Sequence, residues 1–228
     1  MLHKTKGICI NFLKYKESSI IAKIYTQEFG LQSYLINSVR TEKPKFKAAL
    51  FQPLTLLDMV VYHKTAKSAL QRLSEVRCRH LYQTIPFDVK KSSLAFFFSE
   101  ILLKTLQEEE KNEELFDFLE QSFLSLDKTA NINNFAVHFL LDFLNKQGLL
   151  GQNMEDFFGQ LHQNKLCPRP AMMQVEISYL ERIRNGEDLD LPSVLRRQLI
   201  DYLLAYFRLH YDFFGELKSI EILRSILS

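Results

Sequence analysis

The chain is short of the residues that punctuate or cross-link polypeptides. Seven Gly and six Pro in 228 residues exclude a collagen-like or linker-dominated architecture. Cys9, Cys78 and Cys167 are odd in number and widely spaced, so no disulfide framework is expected and a reducing compartment is. No apolar run approaches the roughly 18 residues of a membrane helix. The stretch Leu94–Leu103 is short and carries Glu100, and the apolar stretch after Gly7 is broken by Asn11 and Lys14, which does not fit a secretory signal. Phosphate loops, dinucleotide fingerprints and Gly-x-Ser-x-Gly elbows are missing as well. What is present is 46% apolar and 25% charged, globular proportions, and the expectation is a soluble cytoplasmic protein with no membrane partner.

A net charge of +2 conceals an asymmetry. Residues 1–80 hold 14 Lys and Arg against 5 Asp and Glu, a balance of +9, and the remainder carries −7. Opposite signs in two parts of one chain point to a polyanion partner for the basic part, nucleic acid or an acidic peptide.

The hydrophobic period changes at the same place. Ile8, Ile10 and Phe12 alternate, as do Ile20, Ala22 and Ile24; Leu31 with Leu35, Leu54–Tyr62 and Leu70–Arg79 follow. Five short strands in 80 residues bury their edges best by closing into a small barrel, and this length suggests an oligonucleotide-binding (OB) type. Lys4 and Lys6 share parity with Ile8 and Ile10, which suggests a bulge or exit from the barrel at Gly7. From residue 81 the spacing is helical. Leu94, Phe97, Phe98, Ile101, Leu102 and Leu106 predict a helix capped by Ser92 or Ser93, and Leu115–Leu126 predict a second. A third starts near Asn131 or Asn133 and stops at Gly148. Residues 149–191 read as irregular, with one helix around Val175–Arg184. A long helix from Pro192 buries Leu195, Leu199, Leu203, Tyr206 and Phe213, and a short one capped by Ser219 ends the chain. The fold class is therefore α+β, a five-stranded OB-type barrel (1–80) followed by an all-helical domain (81–228).

Catalytic constellations are thin, and no catalytic residue, metal or cofactor is assigned. Glu108–Glu110 with Glu113 and Glu114 reads as a solvated helix end. Asp188 and Asp190 stand where caps of the next helix are expected, with a metal-dependent nuclease as a weaker reading. His162 and Cys167 fall short of a zinc site, which wants two close pairs of ligands. A barrel that binds single strands needs cations along the phosphates and aromatic faces for bases. Arg40, Lys43, Lys45 and Lys47 cluster in the loop after the third strand, with Phe46 between the lysines, and Arg77 and Arg79 share one face of the fifth. Tyr15, Tyr25 and Tyr34 are candidate stacking residues, each more simply read as packing. Recognition through such cations is largely independent of base sequence. The competing reading is an interaction adaptor whose basic barrel grips an acidic peptide.

Six segments stand out: Thr5-Lys6-Gly7-Ile8-Cys9-Ile10, Tyr15-Lys16-Glu17-Ser18-Ser19-Ile20, Thr26-Gln27-Glu28-Phe29-Gly30, Leu50-Phe51-Gln52-Pro53, Tyr206-Phe207-Arg208-Leu209-His210 and Leu217-Lys218-Ser219-Ile220. Together they resemble the DNA repair protein RecO family. They lie in the family's order across nearly the whole chain. The resemblance implies an OB fold followed by a helical domain and a role as a recombination mediator. It implies binding of single- and double-stranded DNA, strand annealing, engagement of the acidic tail of single-strand DNA-binding protein, and RecA loading with RecR. It likewise implies a nucleoid-associated protein. Many relatives carry a four-cysteine zinc module in the region of residues 149–185. Only Cys167 stands here, so packing of Phe157, Phe158, Leu161 and Leu166 is expected to replace the metal. The end of the third strand reads Ser38-Val39-Arg40 where relatives often have Gly-small-Arg, and Arg40 keeps the cation. Docking of the tail requires an apolar hollow with a cation for its carboxylate, for which Lys104, Arg182, Arg196 and Arg197 are candidates.

Overall fold

The computed structural model describes residues 1–37, 39, 45–63, 70–106 and 111–226. Strands β1 (Leu2–Tyr15), β2 (Ser19–Thr26), β3 (Gly30–Ile36), β4 (Leu56–Tyr62) and β5 (Gln71–Cys78) close into a barrel in the order β1-β2-β3-β5-β4. Neighbours are antiparallel except β3 and β5, which run parallel through Tyr34–Gln71 and Leu35–Arg72. This is the OB-type barrel followed by helices that the patterning predicted. Its interior is filled by Cys9, Ile20, Ala22, Ile24, Tyr34, Ile36, Leu57, Met59, Val61 and Leu73. Phe51, from a short 3-10 turn at Ala48–Phe51, joins them. Gly30 opens β3 with φ +61°, the left-handed turn its position requires.

Two helices pack with the barrel in one compact unit, Met1–Lys128: α1 (Val89–Thr105) and α2 (Glu113–Lys128). The change from strand to helix thus falls between Cys78 and Val89, whereas the compact unit ends some 40 residues later, at Lys128. Helix α1 explains the outer face of β1. No bulge occurs at Gly7, because β1 pairs without interruption with β4 from Leu2 to Ile8; the irregularity lies between Cys9 and Asn11, against β2. The face turns from charged to apolar because α1 packs on β1 there. The Ser99 hydroxyl bonds the Ile10 carbonyl, and Ile8 and Ile10 are fully buried. Gly7 faces inward instead. A Cβ at this position would lie 2.7 Å from Ile24 Cγ2 and 2.9 Å from Met59 Cε.

The cap of α1 is Asp88 rather than Ser92 or Ser93, its carboxylate accepting from the backbone N–H groups of Lys90 and Lys91 at 2.8 and 3.1 Å. A carboxylate also complements the helix dipole, and the helix therefore starts earlier. Ser92 bonds the Ile85 carbonyl and Ser93 turns back to Val89. Beside the start of α1, Asp127 of α2 anchors the chain leaving the barrel. Its carboxylate accepts the N–H groups of Gln83, Thr84 and Ile85 at 2.9, 2.8 and 3.0 Å, while the buried Lys91 ammonium donates to the Asp127 carbonyl and the Thr84 hydroxyl. Burial pushes the Asp127 carboxyl up, but the three N–H groups and the Thr84 hydroxyl outweigh it and hold the pKa at about 2.

The second unit, Thr129–Ser228, holds α3 (Phe135–Lys146), α4 (Met154–Gln163), α5 (Gln174–Arg184), α6 (Ser193–His210) and α7 (Ser219–Ile226). Helices α3 and α4 both pack on α5 and α6, with Phe143–Phe207 and Phe157–Tyr206 rings 5.9 and 4.5 Å apart. Helix α3 starts at Phe135, two residues beyond Asn133, after Asn134, whose side chain is drawn away to the Leu189 carbonyl. Helix α4 lies within the stretch read as irregular. Asn153 caps it by accepting from Asp156 N–H at 2.8 Å, and Phe157, Phe158 and Leu161 are fully buried. Leu166, expected among them, is 44% exposed, because it follows the helix end where the chain turns at Lys165 with φ +60°. Phe213 is 94% exposed, contrary to expectation. The helix ends at His210, and the turn after it sends Phe214 inward to stack on Phe207 at 5.5 Å instead.

Candidate nucleic-acid interface

The barrel's outer surface carries cations in registered rows. Lys6 of β1 pairs with Asp58 of β4, and Asp58 pairs with Arg77 of β5; one step along, Lys4 faces Val60, and Val60 faces Glu75. Side chains two apart in a strand share a face, so these rows line one surface. They wall a groove of about 580 Å³ together with Gln27 and Glu28 from the turn after β2, with Met59 and Val76 below.

The cations predicted from sequence have different fates. Arg77 lines this groove and is 81% exposed, its Nε and Nη2 each 3.0 Å from one Asp58 oxygen. Arg79, just beyond β5, is turned toward α2, 3.3 Å from the Glu120 carboxylate, which is buried. A buried carboxylate requires a cation, so this pair ties the end of β5 to α2. Lys45 lies beside β5, donating to the Ser74 carbonyl at 3.2 Å with its ammonium 5.0 Å above the Phe46 ring. Phe46 packs against the barrel core, which leaves Lys45 and Lys47 on the solvent side. Arg40 and Lys43 lie outside the described residues. Of the candidate stacking rings, Tyr34 is fully buried in the barrel and Tyr25 stacks on Phe116 at 6.2 Å; only Tyr15 is exposed, with the Lys16 ammonium 5.5 Å from its ring. Burial raises the Tyr34 hydroxyl well above the ordinary range, as befits a core residue.

Lys4, Lys6 and Asp58 did not stand out in the sequence as site residues. Their parity was visible, but the register that sets Lys6 and Arg77 on either side of Asp58 comes from strand pairing. In the second unit, Asp188 and Asp190 are exposed and no side chain caps α6, since Pro192 occupies the cap position. His162 Nδ1 lies 3.1 Å from the Cys167 carbonyl, and the Cys167 thiol donates to the Phe158 carbonyl at 3.4 Å. Among the described residues no group of three or more His, Cys, Asp or Glu is placed to hold a metal, and no helix is long and apolar enough to cross a membrane.

Comparison with known proteins gives these features a family. Residues 1–82 match the model of the recombination protein O N terminal, and residues 86–150 that of the recombination protein O C terminal. The DNA repair protein RecO of Flavobacterium psychrophilum is 34% identical over 236 residues, 99% of each chain. That of Phocaeicola vulgatus is 35% identical over 244 residues, the whole of both, and that of Azobacteroides pseudotrichonymphae is 25% identical over 240 residues. The similarity runs through barrel and helices alike, and the chain belongs to the recombination protein O family of DNA repair proteins.

Proposed function

We propose that this protein is a DNA-binding recombination mediator that holds single strands on its barrel, promotes their annealing and assists RecA loading with RecR. The observation that supports it is the coincidence of a closed five-stranded barrel with the basic part of the chain, within a family of DNA repair proteins. The work asked of such a protein is non-covalent. Cations hold phosphates and release condensed counterions, and two held strands meet at raised local concentration. Lys45, Lys47 and Arg77, with Arg40 and Lys43, supply phosphate contacts in this reading, while Arg79, just beyond the same strand, is held by Glu120. Double-stranded DNA offers the same phosphates, so binding to it follows from the same groups, and the protein works in the cytoplasm at the nucleoid.

The tail of single-strand DNA-binding protein needs an apolar floor beside cations. A shallow hollow between α6 and α7 offers Ile200, Ile220 and Leu223 with Arg196, Arg197 and Arg224. Arg224 is paired to Asp201 at 2.6 Å, as Arg182 is to Glu187 at 2.7 Å, whereas Arg196 and Arg197 make no ion pair among the described residues. The reading therefore places tail docking at α6 and α7.

Anisotropy of a labelled oligothymidylate over a salt series tests the proposal. Affinity should fall steeply, log K declining by about 0.7 per phosphate contact against log salt. Charge reversal at Lys43, Lys45 and Lys47 should flatten that dependence. A flat dependence in the unaltered protein overturns the reading, and displacement of the oligonucleotide by polyglutamate at equal charge concentration favours the acidic-peptide adaptor.

A further inference from the structure

The groove on β1, β4 and β5 holds three acids and three cations, yet they are not equivalent. Asp58 is engaged by Arg77 at 3.0 Å, and Glu28 by Lys111 of the α1–α2 connection at 3.4 Å. Among the described residues Lys4 and Lys6 make no ion pair, and both line the groove. They stand two apart in β1, about 6.8 Å from one another on the same face. Asp58 is in register with Lys6 on one side and Arg77 on the other. A carboxylate in that position presents to the arginine the kind of anionic acceptor oxygen that a phosphate would present.

We infer that this groove is a phosphate-binding track for a nucleic-acid strand, with Lys4, Lys6 and Arg77 as its cations and Asp58 as a resident anion that the strand's phosphate displaces from Arg77. The inference rests on the reading of the barrel as a DNA-binding module and adds to it two lysines and a competitor. Arg77 is 81% exposed and Asp58 34%, so the pair is open to solvent and weak enough to exchange. Its effect is to hold Arg77 extended over the groove and to set the affinity below what the bare cations give. Weak binding suits a protein that must hand strands on.

The same oligothymidylate titration, applied to groove variants of the full chain, tests this. The double variant Lys4→Gln, Lys6→Gln should lower the salt slope by about 0.7 for each lysine that contacts a phosphate. Asp58→Asn should tighten binding at low salt by about two- to fivefold, the worth of an exposed ion pair. In the Arg77→Gln background the Asp58→Asn gain should vanish, whereas removal of a remote charge, Glu17→Gln, should change affinity in neither background. Circular dichroism confirms that each variant is folded, as surface substitutions at these positions permit. Should the unaltered protein bind with a steep salt dependence while the lysine and Asp58 variants match it, the groove is not the track and the broader reading survives. Absence of salt-dependent binding in the unaltered protein overturns both. A gain from Asp58→Asn that persists without Arg77 overturns the displacement and leaves only a general charge effect.

Discussion

At the scale of single residues, the charged pairs about Asp127 and Arg79 bear on stability. Asp127 satisfies three backbone N–H groups of residues 83–85, and Lys91 is buried on its carbonyl. Asp127→Ala strands those donors in a site that water hardly reaches, and urea denaturation should show a loss of about 3 kcal/mol or more. The folded carboxyl is held at about 2, below its unfolded value near 3.9, so its contribution is fully present above about pH 4 and is lost as pH falls toward 2. Thermal midpoints of the native protein should drop across that window, and those of Asp127→Asn should drop less. Arg79 looked from sequence like a phosphate ligand equal to Arg77, since the two share strand parity. The buried Glu120 opposite it lies 41 positions away in the chain, and only the docking of α2 reveals the pair. Arg79→Gln should cost about 2 kcal/mol of stability, and Glu120→Gln in the same chain should recover part of it. Loss of DNA affinity in Arg79→Gln without any change in denaturation midpoint contradicts this assignment.

At the scale of elements, local chemistry was legible where it repeats and opaque where it depends on a neighbour. The five strands and the apolar faces of α1, α2, α3 and α6 follow from period alone. Helix α4 was obscured because only 10 residues separate Asn153 from the turn at Asn164, and its apolar face rests on Met154, Phe157, Phe158 and Leu161. The cap signal was nevertheless there: Asn153 with acidic Glu155 and Asp156 in the first turn. Asn153→Ala should lower stability by about 1 kcal/mol, read from the urea midpoint. The switch of outer face along β1 was visible as a conflict between Lys4, Lys6 and Ile8, Ile10. Its cause, coverage by α1, is tertiary. Gly7→Ala tests the interior side of the same strand. The new methyl would meet Ile24 and Met59 at less than van der Waals distance, and overpacking of this kind costs about 1–3 kcal/mol. An unchanged midpoint would show that Met59 swings aside freely.

At the scale of the whole molecule, the sign of the partner was written in the chain and its place was not. A balance of +9 in the first 80 residues implies a polyanion, and a salt series measures it directly. The rest of the protein, at −7, should contribute no phosphate contacts; substituting Arg182 with Gln should leave the salt slope unchanged, because Glu187 already neutralises it. The sequence by itself determined the closed barrel, the helical remainder and the family, since these depend on period, composition and short local motifs. Only the tertiary structure decided which cations stand side by side. Strand register set Lys6 and Arg77 about Asp58, helix docking drew Arg79 to Glu120 and covered Tyr25 with Phe116, and closure of the barrel buried Tyr34. Register and docking join residues far apart in the chain, and electrostatics falls off with distance in space, so no reading along the sequence could rank them.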